Sequence, residues 1–147
     1  MSLSAEKIRP LAVVVIKRGN QVLVSPGYDK VKDSHFYRLV GGGVEFGETA
    51  LEALKRELIE ELDAELINIK FLNVIENIFT YNGERGHEIS FIYEADFKDE
   101  SKYKIEEFQI IDSHADNLAI WIEINEENAK MIMPEGSGKL ILDGLLK

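Results

Sequence analysis

The chain has 147 residues, no cysteine, and 27 acidic against 17 basic side chains, a formal charge of −10. The lack of cysteine excludes disulfides, thiolate metal sites and cysteine nucleophiles. The acidic balance disfavours long nucleic acid as a partner, although a small phosphorylated ligand stays compatible because divalent cations mask both charges. The length suits a single domain over residues 1–147, and 45% hydrophobic with 30% charged residues suits a folded one. Apolar runs such as "LAVVVI" fall far short of a membrane span, and the N-terminus lacks a signal-peptide pattern, so a cytoplasmic location without membrane contact is expected.

Two β-rich runs, Leu11–Ile16 and Gln21–Val24, flank the turn "RGN" and predict a hairpin. "HFYRLV" (His35–Val40) predicts a strand that delivers the chain to three glycines, Gly41 to Gly43. A helix from Thr49 to Leu62 follows. Glu65–Tyr81 is β-rich, "NGERGH" (Asn82–His87) supplies a turn, and Glu88–Phe97 alternates like a half-buried strand with Ile89, Phe91 and Tyr93 on one face. Lys98–Glu107 reads as a solvated loop, Asn117–Ile124 as a strand, Asn125–Met131 as a helix, and "KLILDGLL" as a short apolar helix after the breaker "MPEGSG". One long central helix among many strands makes a mixed α/β domain.

The central helix is well signalled. Thr49 and Glu52 match a capping box, and no proline or glycine interrupts the segment to Leu62. On a helical projection Leu51, Leu54, Leu58 and Leu62 form the core-facing stripe. Glu57, Glu60 and Glu61 fall on an adjacent arc about 100° wide, so their carboxylates can converge. Like charges at this spacing, set against the macrodipole in the last turn, cost on the order of 1–3 kcal/mol. A bound Mg²⁺ at a hundredfold excess over its dissociation constant would return ~2.7 kcal/mol. Hard divalent cations prefer oxygen ligands; the alternative is a solvated acidic face partly neutralised by Lys55 and Arg56.

The whole segment "GGGVEFGETALEALKRELIEEL" resembles the Nudix box, G-x5-E-x7-R-E-U-x-E-E-x-G-U with U aliphatic. Gly42, Glu48, Arg56, Glu57, Leu58, Glu60 and Glu61 fill the pattern at its spacings. Val40 stands where the family usually has proline, Asp63 where the box has its last glycine, and Ala64 at the last aliphatic position. None of these removes a candidate ligand. The resemblance implies a Nudix-type α/β/α sandwich with a mixed sheet, the box forming a loop–helix–loop. It implies Mg²⁺-dependent hydrolysis of the pyrophosphate linkage in a nucleoside triphosphate, or in a nucleoside diphosphate linked to another moiety, with Mn²⁺ as a substitute ion. Glu57, Glu60, Glu61 and the Gly41 carbonyl would then hold the metal, and the proton of the attacking water would go to one of these glutamates, Glu57 or Glu60 being favoured, or to a carboxylate outside the box. Glu48 and Arg56 would form a supporting salt bridge beside Gly42. The partner implied is a small nucleotide, with a homodimer left open.

Other motifs fail. "GGGVEFGET" has no lysine for a Walker A loop and misses G-x-G-x-x-G by one residue, no EF-hand loop is present, and three scattered histidines do not make a zinc site. The fold's isomerase branch, which uses a cysteine, is disfavoured. A nucleotide-binding sensor without turnover is the alternative. Outside the box, Arg38 is a candidate phosphate ligand, Phe36, Tyr37, Phe79 and Tyr81 are candidates to line a base or sugar pocket, and His87–Glu88 either face a pocket or cap a strand. Glu76, Asp112, His114 and Asp116 are further candidate ligands or bases.

Overall fold

Ala12 and three successive valines, Val13 to Val15, let strand β1 (Ile8–Val15) bury both of its faces. This computed structural model describes residues 6–110 and 117–145. After β1 come β2 (Lys17–Arg18), β3 (Gln21–Asp29), β4 (Ser34–Gly43) and helix α1 (Ala50–Leu62). Then follow β5 (Leu66–Tyr81), β6 (Glu84–Phe97), a 3₁₀ turn at Glu100–Lys104, β7 (Glu107–Ile110) and β8 (Asn117–Glu123). The chain ends with α2 (Glu126–Ala129), β9 (Ile132–Met133) and α3 (Ser137–Leu145).

The sheet order is β5-β6-β1-β4-β3-β8-β7, with β2 on β3 and β9 on β4. β1–β6 and β4–β9 are parallel and the other pairs antiparallel, so the sheet is mixed as expected. One face packs Ala12, Val14, Tyr93 and Trp121 under α1, and the other packs Val13, Val15, Ile92 and Ile122 with Ile141 of α3. Helices on both faces give the α/β/α sandwich.

β4 decides where the site lies. Its first half pairs with β3, from Ser34–Asp29 to Leu39–Val24, and its second half pairs with β1, from Val40–Val14 to Gly43–Leu11. The strand therefore continues through the three glycines instead of ending at Val40, because their backbone still finds a partner. Changing partners midway spreads the sheet and opens a cleft.

Several expectations are corrected. Leu51 is 37% exposed, and the buried stripe of α1 runs through Ala53, Leu54, Leu58 and Leu62. The small Ala50 and Ala53 meet the core in the first turn, where the helix lies close to the sheet. The turn at Asn82 is only two residues long. Asn82 and Gly83 both adopt positive φ, 50° and 82°, which suits a tight hairpin, so pairing resumes at Glu84. Towards its C-terminal end β6 is buried on both faces, because a helix covers each side of the sheet: Tyr93 packs in the core under α1 and Ile92 in the core on the α3 side. The stretch from Lys98 to Glu107 is not simply solvated. Tyr103 stacks near Phe97 and Trp121, with centroid distances of 5.2 and 6.1 Å, and its hydroxyl accepts from the Phe97 N–H at 2.9 Å. The helix expected to reach Met131 is a single turn, and α3 begins at Ser137, inside the expected breaker.

Candidate active site

The N-terminus of α1 forms as its sequence dictates. The Thr49 side chain accepts from the Glu52 N–H at 3.1 Å and the Glu52 carboxylate accepts from the Thr49 N–H at 3.3 Å. At the other end Asp63 closes the helix in the left-handed region, φ 52° and ψ 45°, which an aspartate tolerates in place of glycine.

Arg56 joins the loop to the helix. Its Nε and Nη2 donate to the two oxygens of Glu48, both at 2.8 Å, a bidentate fork. Nη2 also donates to the Gly43 carbonyl at 3.1 Å, while Nη1 donates to Glu57 at 3.0 Å and Glu60 at 3.2 Å. The Arg56 hydrogen bonds, followed by the Glu45 N–H, hold the Glu48 carboxyl down to about 2. The same fork, working against burial, raises the guanidinium above its ordinary value.

The glycines set the fit between β4 and α1. A Cβ on Gly42 would run into the Glu57 carboxyl group, so only a residue without a side chain lets that carboxylate rest there. Gly41 has φ 149°, and a Cβ on it would run into the Ala12 carbonyl oxygen. Glu57, Glu60 and Glu61 line one wall of a cleft of about 1350 Å³, together with Gly41, Gly42 and Arg56. They share a wall without closing into a cage. Among the described residues, no three Asp, Glu or His side chains stand close enough to enclose a metal ion. The guanidinium is the nearest positive charge, and it draws Glu57 and Glu60 to itself. The donor set still suits a hard divalent cation. It is all oxygen, and Glu60 is exposed enough, 57% over its side chain, to turn.

The cleft is framed by two hairpin tips that lean together. The Asp29 carboxylate accepts from the N–H groups of Val31, Lys32 and Asn82, at 3.0, 2.9 and 3.1 Å. Asn82 Oδ1 accepts from the Lys30 N–H at 2.7 Å, and Lys32 Nζ donates to the Thr80 carbonyl at 2.7 Å. The Lys32 N–H first, with those of Asn82 and Val31, holds the Asp29 carboxyl below the usual range. Phe36 meets Tyr81 edge-on at 5.7 Å across the same gap.

Of the candidates outside the box, Arg38, Phe36, Phe79, Tyr81 and Glu88 line the cleft. Tyr37 is instead partly buried and packs against the core on the α3 side. His87 pairs with Glu76 at 2.9 Å, and neither lines the cleft. Asp112, His114 and Asp116 lie outside the described residues. Arg9, Asn77 and Ser90 line the cleft without having been singled out from sequence. Their strands alternate, and polar residues at alternate positions read as a solvent face. The available signal was Ile92, an apolar residue on the same side as Glu88 and Ser90. Burial pushes the Glu88 carboxyl up, with Arg9 and Arg38 partly offsetting it.

The NUDIX domain family model matches residues 7–142. The chain belongs to the NUDIX domain family. Solved Nudix structures share its fold. A MutT NUDIX hydrolase from Burkholderia pseudomallei matches with a TM-score of 0.62 at 22% identity, covering 94% of this chain and 98% of that one. A NUDIX hydrolase from Nitrosomonas europaea gives 0.61 at 17% identity, over 95% and 90% of the two chains. A MutT protein from Bacillus halodurans gives 0.62 at 17% identity, over 95% and 83%. In this Nudix chain the box occupies the end of β4, the following loop and α1. Among the described residues, no helix is long and apolar enough to cross a membrane.

Proposed function

We propose that this protein is a Nudix hydrolase that uses Mg²⁺, or Mn²⁺ in its place, to cleave a pyrophosphate linkage. The substrate is a nucleoside triphosphate or a nucleoside diphosphate joined to another group. The observation that carries this reading is the acidic wall of Glu57, Glu60 and Glu61 at one side of a cleft large enough for a nucleotide, with Gly42 shaped to the Glu57 carboxylate.

Glu57, Glu60, Glu61 and the Gly41 carbonyl would hold the metal. When bound, the ion supplies charge neutralisation at the phosphate oxygens and makes water more acidic. Glu57 or Glu60 accepts the proton as water adds to phosphorus, and the bridging oxygen leaves with the other phosphate. Glu48 and Arg56 are positioning residues, since the fork fixes the loop to the helix. Arg38, in the same cleft, neutralises phosphate. A cation is compatible with the −10 charge of the chain and offsets its repulsion of an anionic substrate.

The test is incubation with Mg²⁺ and a panel of nucleoside triphosphates, ADP-ribose, nucleotide sugars and dinucleoside polyphosphates, with Glu60→Gln alongside. Turnover that disappears in the variant supports the hydrolase. Nucleotide binding without turnover of any compound would favour a sensor.

A further inference from the structure

The cleft has a second chemical centre, on the sheet floor away from the box glutamates. Three neighbouring strands bring Asn77, Glu88 and Arg9 into one row, since Asn77 pairs with Glu88 and Glu88 with Arg9. Ser90 lies two residues along β6 on the same face, beside Leu11. Glu88 is 8% exposed and Ser90 1%.

One polar atom on each of Arg9, Glu88 and Ser90 finds no hydrogen bond within the fold. Among the described residues, the buried side-chain nitrogens and oxygens without a hydrogen-bond partner are Arg9 Nη1, Glu88 Oε2 and Ser90 Oγ. Arg9 and Glu88 face each other at 3.7 Å, an ion pair too long to be a hydrogen bond. Buried polar groups in folded proteins are nearly always satisfied. Three exceptions on one patch of a cleft floor, rather than scattered, indicate groups held for a ligand.

We propose that Arg9, Glu88 and Ser90 recognise the hydrogen-bonding edge of the substrate's nucleobase. This rests on the nucleotide reading above and deepens it. Glu88 offers a fixed acceptor, Arg9 a fixed donor, and the Ser90 hydroxyl can be either. Together they match a heterocycle with an N–H beside a carbonyl or ring-nitrogen acceptor. A phosphate dianion has no donor to offer the Glu88 acceptor, whereas a base edge does. A planar ring is further favoured by Phe79, whose side chain lies over Gly86 on the same face and lines the cleft. Arg9 Nη2 would be 3.9 Å from a Cβ on Gly43, which places the base reader next to the loop that carries the phosphate chemistry.

The experiment compares nucleoside triphosphates differing only in the base, using wild type, Glu88→Gln and Ser90→Ala with Mg²⁺. Melting temperatures serve as the fold control, and Ser90→Ala decides if Glu88→Gln fails to fold. Binding of the corresponding monophosphates is followed in parallel by NMR at the Glu88 and Ser90 amides. The wild type is expected to prefer one base pattern in kcat/KM by roughly tenfold or more, and the variants to flatten or reorder the preference by a similar factor. Equal rates for all bases, or variants that lower every substrate in the same proportion, would overturn the proposal. If nothing is turned over, base-selective shifts that the variants abolish still support base reading while refuting hydrolysis. Without turnover, unselective binding or no binding overturns the base reading as well.

Discussion

Gly42 and Glu57 occupy one space: a Cβ on Gly42 would stand 2.6 and 2.7 Å from the two Glu57 carboxylate oxygens. Gly42 has no positive φ, so the backbone itself would accept alanine. The conflict falls on the end of a flexible side chain. Gly42→Ala is therefore expected to leave the melting temperature within a few degrees of wild type while lowering kcat by ~10²-fold, because a displaced carboxylate costs about that much. Melting curves and steady-state kinetics on the same preparations check this. A stable, fully active variant would remove Glu57 from the proposed chemistry.

Gly41→Ala should behave differently. Its φ of 149° is rarely open to an L side chain, and its neighbours are the Ala12 carbonyl oxygen and, at 2.7 Å, the Val13 Cα, which cannot swing aside. A loss on the order of 3 kcal/mol in urea unfolding is expected. The contrast between adjacent glycines separates a positioning role from a folding role.

Addition of Mg²⁺ should stabilise the protein. At a hundredfold excess over the dissociation constant the gain is ~2.7 kcal/mol, or roughly 5–10 °C for a chain of this size. Glu57→Gln and Glu60→Gln should each lose most of that shift. Melting temperatures unmoved by both Mg²⁺ and Mn²⁺ would refute the metal site, whatever the variants do.

The Glu48 carboxyl is held at about 2 by Arg56, below an ordinary value of 4.5. A depressed folded-state value contributes stability that is present above pH 4.5 and lost as the pH falls towards 2. The urea midpoint of wild type should therefore drop more steeply through that window than that of Glu48→Gln. Parallel curves would mean that the fork does not couple to folding. Arg56→Lys keeps the charge but loses the two-pronged geometry, and should lower kcat more than it lowers stability.

Asp29 ties the two hairpin tips that frame the cleft. Asp29→Ala frees the Asn82 and Lys32 amides, whose hydrogen exchange should accelerate by roughly tenfold or more, matching a lost bond of ~1–2 kcal/mol. KM should rise by more than kcat falls, since the cleft loosens while the box stays intact. Unchanged exchange at Asn82 would mean that the tips are held by other contacts, such as Phe36 against Tyr81.

The elements that sequence reading predicted well are those governed by nearby residues. The capping box of Thr49 and Glu52 follows from side chains reaching nearby backbone, and the left-handed Asp63 from a residue type that tolerates positive φ. The Glu48–Arg56 bridge was legible only through the resemblance to the Nudix box, and the fold forms it as a fork. The failures have a common cause in partners distant along the chain. Leu51 lost its core position to Ala50 and Ala53 because helix–sheet distance, not the projection, selects who is buried. β4 ran through its glycines because β1 was there to pair with them. Tyr103 left the supposed solvated loop because Phe97 and Trp121 offered a surface.

By itself, the sequence determined the family and the acidic helix, since motif spacing and 3.6-residue periodicity are local properties of one segment. Only the tertiary structure decided that Arg56 holds Glu57 and Glu60, that Asp29 joins two hairpins, and that Arg9, Glu88 and Ser90 meet on one floor. The last case shows the physical reason. Period-two alternation tells which residues share a face of a strand, but not whether that face looks onto water or into a cleft. That depends on what β1, β4 and β5 place around it.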